Sequence, residues 1–194
     1  MPPKAKITKE MIVDVAFDIV RKEGVDKVSA RSISEQLHCS TQPVLYYFET
    51  IADIKKDTYI KADEYHSNYI MNIENDYENP MLTIGMNYIN FAIEEQRLFR
   101  FLFQSNEFSE MAMFDLLNSE EVMQVIATLK QEVDVSMEEA KEIFSILFIF
   151  VHGYASLYAN NAMVYEKESI MSALESVFEG AVYSVKCREI KDTI

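Results

Sequence analysis

The chain has 194 residues, 49% of them hydrophobic and 12% aromatic, with 18 Lys+Arg against 32 Asp+Glu. That much apolar material excludes disorder as the main state, and 4 Gly with 4 Pro are too few for the many turns of a sandwich or barrel, so the expected fold class is all-α. A formal charge of -14 argues against indiscriminate phosphate binding, and two distant cysteines, Cys39 and Cys187, indicate neither a disulfide framework nor a zinc site but reduced thiols in a cytoplasm.

Thr8 can cap a helix in which Met11, Ile12, Val15, Ala16, Ile19 and Val20 recur at helical spacing, with Glu10, Asp14, Asp18 and Arg21 opposite. Asp14 and Asp18 break its apolar run, so it does not read as a secretory signal. Gly24 ends it where a cap calls for positive φ, and Arg21 and Lys22 in the last turn complement the helix dipole. Ser29 can cap a second helix over Ala30–Leu37, with Ile33 and Leu37 facing inward. His38-Cys39-Ser40 forms a short break, His38 being a residue type that tolerates left-handed backbone. Ser40 or Thr41 can cap a third short helix with Pro43 in its first turn.

Two short helices behind a longer amphipathic one fit the helix-turn-helix module, whose second short helix enters the major groove of double-stranded DNA. In that role Gln42 can pair with an adenine edge, Thr41 and Pro43 can meet a thymine methyl, and the Tyr46 and Tyr47 hydroxyls can reach phosphates. Arg31 and the helix N-termini at Ser29 and Ser40 add phosphate contacts, and Lys4 and Lys6 could form a minor-groove arm. Periodicity alone equally allows a small helical lobe whose tyrosines are packing residues. Charge divides the chain in the same place: residues 1–50 hold seven basic and seven acidic side chains, so the whole excess of acid lies beyond residue 50. The expected domains are therefore 1–50, for DNA, and 51–194.

Lys9 to Lys55 resembles the DNA-binding domain of TetR-type (tetracycline-repressor-like) transcriptional regulators. The residues that carry the resemblance are Ala16, Gly24-Val25, Val28-Ser29, Ile33-Ser34-Glu35-Gln36-Leu37, Ser40 and Tyr46-Tyr47-Phe48. Leu45 stands where many members of that family have a DNA-touching tyrosine, and Ile51 where they have a phosphate-binding lysine; Lys55 or Lys56, a turn later, could replace it. The resemblance implies a helical ligand-binding and dimerisation domain over 51–194, a palindromic operator, a homodimer, and a small-molecule inducer.

Beyond residue 50 the spacing predicts a long helix from Asp53 to about Asn75, then Met81–Glu95 opened by Pro80 with Leu82, Met86, Ile89 and Ile93 inward, and an aromatic segment Leu98–Phe103. Helices are expected over Met111–Asn118 and Ser119–Glu132, a Ser136/Glu139 capping box should open a long apolar helix, and an amphipathic one should run from Glu168 to Lys186. Ile143 to Tyr165 is 23 residues without a charge, long enough to span a bilayer, but Ser145, His152, Gly153, Ser156, Asn160, Asn161 and acidic flanks favour a buried core helix and no membrane. Phe148 to Gly153 resembles a Trp-x-x-x-His-Gly signature in one branch of the family. Met86, Phe103, Met113, Phe148 and His152 are candidates to line a pocket for an apolar or aromatic ligand, although most Met and aromatic residues here simply fill a core. The family's arrangement puts Phe150, Tyr154, Leu157, Leu174 and Phe178 in the dimer interface.

Nucleotide-binding, serine-hydrolase and zinc-protease motifs are missing, and His38, His66 and His152 are not spaced for a metal, so neither an enzyme nor a cofactor is expected. The expected function is a ligand-responsive DNA-binding repressor. The rival is an all-helical protein that sequesters a small molecule or a partner and never binds DNA.

Overall fold

The computed structural model describes residues 7–73, 79–105 and 117–191. Among these residues the structure is all-α, with nine helices and no strand. The segment 106–116, which holds Met113 and most of the helix expected over Met111–Asn118, lies outside the described residues, as do Lys4 and Lys6. Packing groups the chain into two compact units, Met1–His66 with Glu95–Phe108 and Ser67–Glu94 with Ser109–Ile194. This grouping does not coincide with a cut at residue 50.

In the first unit, α1 (Lys9–Glu23) begins where the Thr8 side chain accepts the Met11 N–H at 3.2 Å and ends at Gly24, whose φ of 99° lets its N–H reach the Ile19 and Val20 carbonyls. Of the face that the spacing predicts, Ile12, Ala16, Ile19 and Val20 are buried and Met11 and Val15 half-buried, and Phe17 is buried with them. A single 3₁₀ turn at Val25–Lys27 leads to α2 (Ala30–Gln36), opened by a reciprocal capping box between Ser29 and Ser32. His38 turns the chain at φ 51°, the left-handed conformation expected of it, and α3 (Gln42–Tyr47) follows. Among the described residues no side chain caps α3; Thr41 starts it through its carbonyl, which accepts the Leu45 N–H at 3.1 Å. The hydroxyl cap expected from Ser40 or Thr41 is therefore not made. Instead α3 is fastened from beneath by Val44, fully buried, and by Phe48 just past its end.

Helix α4 (Ile51–Ile70) starts earlier and stops earlier than the sequence suggests. At its start Thr50 and Asp53 cap each other, Thr50 N–H to Asp53 Oδ2 at 3.0 Å and Asp53 N–H to Thr50 Oγ1 at 3.2 Å. Near its end the Asn87 amide donates to the Ile70 and Asn72 carbonyls at 3.2 and 2.9 Å. Helix α6 (Gln96–Phe103) buries Leu98, Phe99, Phe101 and Leu102 in the first unit.

The second unit is built on α5 (Pro80–Glu94), α7 (Glu120–Val133), α8 (Met137–Ala159) and α9 (Lys167–Lys191). The stripe expected on α5 is too narrow: Thr83, Ile84, Gly85, Tyr88, Phe91 and Ala92 are buried along with Met86 and Ile89. Gly85 is needed for this packing, because a Cβ there would lie 2.8 Å from Leu174 Cδ2 and 3.4 Å from Val151 Cγ1. The Ser136/Glu139 box opens α8 as predicted, with Ser136 N–H to Glu139 Oε2 at 2.7 Å. Although α8 is long and apolar enough to cross a membrane, Ala140, Ile143, Phe144, Leu147, Val151, Ala155, Tyr158 and Ala159 are buried inside the unit, so one face serves as core.

Candidate functional site

Residues 29–48 form the helix-turn-helix candidate. Because Val44 and Phe48 point inward, the rotation of α3 about its axis is fixed, and Thr41, Gln42, Leu45, Tyr46 and Glu49 are exposed. Tyr46 is 82% exposed and Leu45 55%. The Tyr46 ring stands edge-on to Tyr47, centroids 5.1 Å apart. Tyr47 itself is half-buried, and its hydroxyl donates to the Ile7 carbonyl at 3.2 Å, so its proton is engaged within the unit while the Tyr46 ring projects.

Pro43 is half-buried in the first turn of α3, and Ser40 is exposed in the preceding turn. Ser29 is committed to capping α2, as acceptor of the Ser32 N–H at 3.0 Å. Arg31 is exposed on α2 and pairs with Glu35 one turn on at 2.9 Å, which holds its guanidinium charged; so exposed a pair stabilises little. Lys55 is half-buried and Lys56 exposed on α4, whereas Ile51 is half-buried. Lys9 bridges to Asp57 at 2.7 Å, which raises its pKa, and lies over the Phe48 ring, joining α1, α3 and α4.

A second tie in this unit was not legible in the sequence. Arg21 Nε donates to Glu95 Oε2 at 2.8 Å, a second guanidinium nitrogen pairs with the other carboxylate oxygen, and the Tyr65 hydroxyl donates to Glu95 at 3.1 Å. The Glu95 side chain is nearly buried, and its hydrogen bond to Arg21 raises the guanidinium pKa. Arg97 adds a bond to the Lys22 carbonyl at 2.5 Å at the end of α1. Nothing in the spacing links residues 21 and 95.

The described ligand candidates are divided between the two units. Phe103 belongs to the first unit, its ring 5.1 Å from His66 and 4.9 Å from Phe99. Met86, Phe148 and His152 belong to the second, where Met86 is fully buried. His152 Nδ1 and the Tyr88 hydroxyl share a hydrogen bond of 2.8 Å, and Phe148 stacks on His152 at 5.5 Å and on Phe144 at 6.0 Å. Burial lowers the His152 pKa and raises that of Tyr88, so both stay neutral at pH 7. Tyr88 and Phe144 are the members that the sequence reading missed; the Tyr position fell outside the predicted stripe of α5.

Of the interface candidates, Phe150 and Tyr154 are half-buried and Leu157 is 43% exposed on α8, and Phe178 is half-buried on α9. Leu174, on α9, is buried to 1% beside Gly85. Among the described residues no cluster of His, Cys, Asp or Glu could hold a metal ion.

No family model matches the sequence, and no curated protein is similar to it. Solved structures do resemble it. One, a protein of unknown function from Rhodococcus sp. RHA1, matches with a TM-score of 0.72 at 15% identity over 93% of this chain and 98% of that one. A TetR family transcription regulator from Marinobacter aquaeolei VT8 matches with a TM-score of 0.60 at 12% identity, covering 88% and 93%. The chain has the TetR fold. The multidrug binding protein EbrR, solved with ethidium, also matches, with a TM-score of 0.51 at 13% identity over 87% of this chain and 96% of that chain.

Proposed function

We propose that this protein is a transcriptional regulator that binds a palindromic operator in double-stranded DNA as a homodimer, represses, and is released by a small apolar or aromatic inducer. The observation that carries the reading is the outward surface of α3, where Gln42 and Tyr46 project from a helix fixed in rotation by Val44 and Phe48. The shared TetR fold supports a regulator, and ethidium in EbrR supports a flat aromatic inducer. In this reading the protein works in the cytoplasm, needs no cofactor and is not an enzyme; residues 1–50 serve DNA, and 51–194 serve ligand and partner.

A two-fold dimer would set its recognition helices about 34–36 Å apart, one turn of the duplex. An inducer that binds better to the arrangement with misplaced heads shifts the population away from DNA; coupling of about 1–3 kcal/mol lowers operator affinity roughly 5- to 150-fold. The acidic residues beyond position 50 repel phosphates and disfavour wrong orientations.

The test is a mobility shift on a duplex taken from upstream of the protein's own gene, with a steep loss on raising salt from about 50 to 200 mM. Gln42→Ala should relax base preference, and Lys55→Ala should weaken all duplexes alike and flatten the salt slope. Equal effects of both changes on specific and random duplex would remove Gln42 from base reading, and no shift of any duplex would favour a helical binding protein that does not touch DNA.

A further inference from the structure

Leu45 is more than half exposed on a six-residue helix, and among the described residues nothing covers this apolar side chain. A lone exposed leucine is ordinary on a protein surface. Leu45, however, lies three residues after Gln42 and directly before Tyr46, on the exposed surface opposite buried Val44. Helix residues three apart hold their Cβ atoms about 5–6 Å from each other. Stacked base pairs rise about 3.4 Å, so two such side chains meet the same or adjacent pairs.

In the major groove an A·T pair offers adenine N6 and N7, which a glutamine amide can bridge, and beside them the thymine C5 methyl, the only apolar group on any base edge there. We infer that Leu45 is the specificity residue that reads thymine, packing its side chain on the C5 methyl of the pair whose adenine Gln42 holds, or of its neighbour. The surroundings fix its position. Val44 and Phe48 prevent α3 from rolling, and Tyr47, tied to the Ile7 carbonyl at 3.2 Å, meets the Tyr46 ring edge-on. The inference rests on the DNA-binding reading and adds what it leaves open, a half-site containing a methyl-dependent A·T pair.

The test begins with selection of duplexes from a random pool by the full-length protein. Failure to enrich any sequence overturns the DNA-binding reading, and this inference with it. With an enriched operator in hand, each thymine is replaced in turn by deoxyuridine, which removes the methyl and leaves every hydrogen-bonding group. The inference expects one position in each half-site at which the unmodified protein binds about fourfold more weakly without the methyl. Leu45→Ala should abolish that difference, and Leu45→Met, which restores an apolar chain, should recover it. Specific binding without a methyl-sensitive thymine, or the same sensitivity in Leu45→Ala, overturns the inference while leaving DNA binding intact. Should Leu45→Ala bind too weakly to measure, Leu45→Val must reduce the methyl effect, and an unchanged effect overturns the inference.

Discussion

His66 shows how burial alone sets a charge state. It lies on α4 with 6% of its surface exposed, its ring edge-on to Phe103, and burial lowers its pKa from 6.5 to about 4. The imidazole is neutral in the folded protein, while the unfolded chain takes up a proton near pH 6.5. The unfolded state therefore binds more protons between about pH 6.5 and 4, and the stability that His66 contributes is present above that window and lost as pH falls through it. Lowering the pH from 7 to 5 should cost about 2 kcal/mol from this residue. Urea unfolding at the two pH values checks this: His66→Leu should show a shallower fall than the unmodified protein, and equal slopes would mean that the folded ring accepts its proton at an ordinary pH.

Among elements, the tie from α1 to α6 should be the most sensitive point of the first unit. Replacing Arg21 by Met leaves the nearly buried Glu95 carboxylate with only the Tyr65 hydroxyl among the bonds described above. Because Arg21 is 42% exposed, the loss should be about 2 kcal/mol rather than the full cost of a buried orphan charge. In a thermal-unfolding cycle, Arg21→Met with Glu95→Gln should cost less than the sum of the single changes. In the second unit, Gly85→Ala improves helix propensity but pushes a Cβ onto buried Leu174; we expect a net loss of about 1–2 kcal/mol, which should disappear when the same change is made in a Leu174→Ala background, itself less stable for its cavity. Neither tie could be read from the sequence, because residues 74 and 89 positions apart leave no periodic trace. What was legible is local: Thr8, Gly24, Ser29, His38 and the Ser136/Glu139 box act within four or five residues, and each does what its chemistry suggests. Where tertiary partners decide, the reading slipped. Asn87 bonds the carbonyls at the end of α4, α5 is buried on more faces than one stripe allows, and the α3 start has no hydroxyl cap. The sequence offers Gln42, Tyr46 and Arg31 as candidates by residue type, whereas the tethering of Tyr47 and the exposure of Leu45 needed the fold.

At the scale of the whole molecule the proposed homodimer makes the strongest demand. The outer face of α8 carries Ile149 at 63% exposure, Ile146 and Leu157 partly exposed, and half-buried Phe150 and Tyr154, a continuous apolar stripe at helical spacing. Gly153 sits in its middle, and among the described residues no atom of another element lies within 4 Å of where a Cβ would be, so their packing does not account for a residue that costs a helix interior about 0.5–1 kcal/mol relative to Ala. A second copy crossing there would account for both the stripe and the notch, with the same surface used by each subunit. Replacing Ile149 and Leu157 together by Glu should leave the helical circular dichroism unchanged and convert the protein to monomers in sedimentation at micromolar concentration. With one head per particle, the palindromic operator should then bind no better than an isolated half-site. Gly153→Ala discriminates further: it should raise the stability of the monomeric double variant, where helix propensity alone acts, and weaken dimerisation of the otherwise unmodified chain, where the added methyl stands between two helices. A double variant that still sediments as a dimer would move the interface off α8, and a Gly153→Ala protein that dimerises undiminished would show that the crossing lies elsewhere on the stripe.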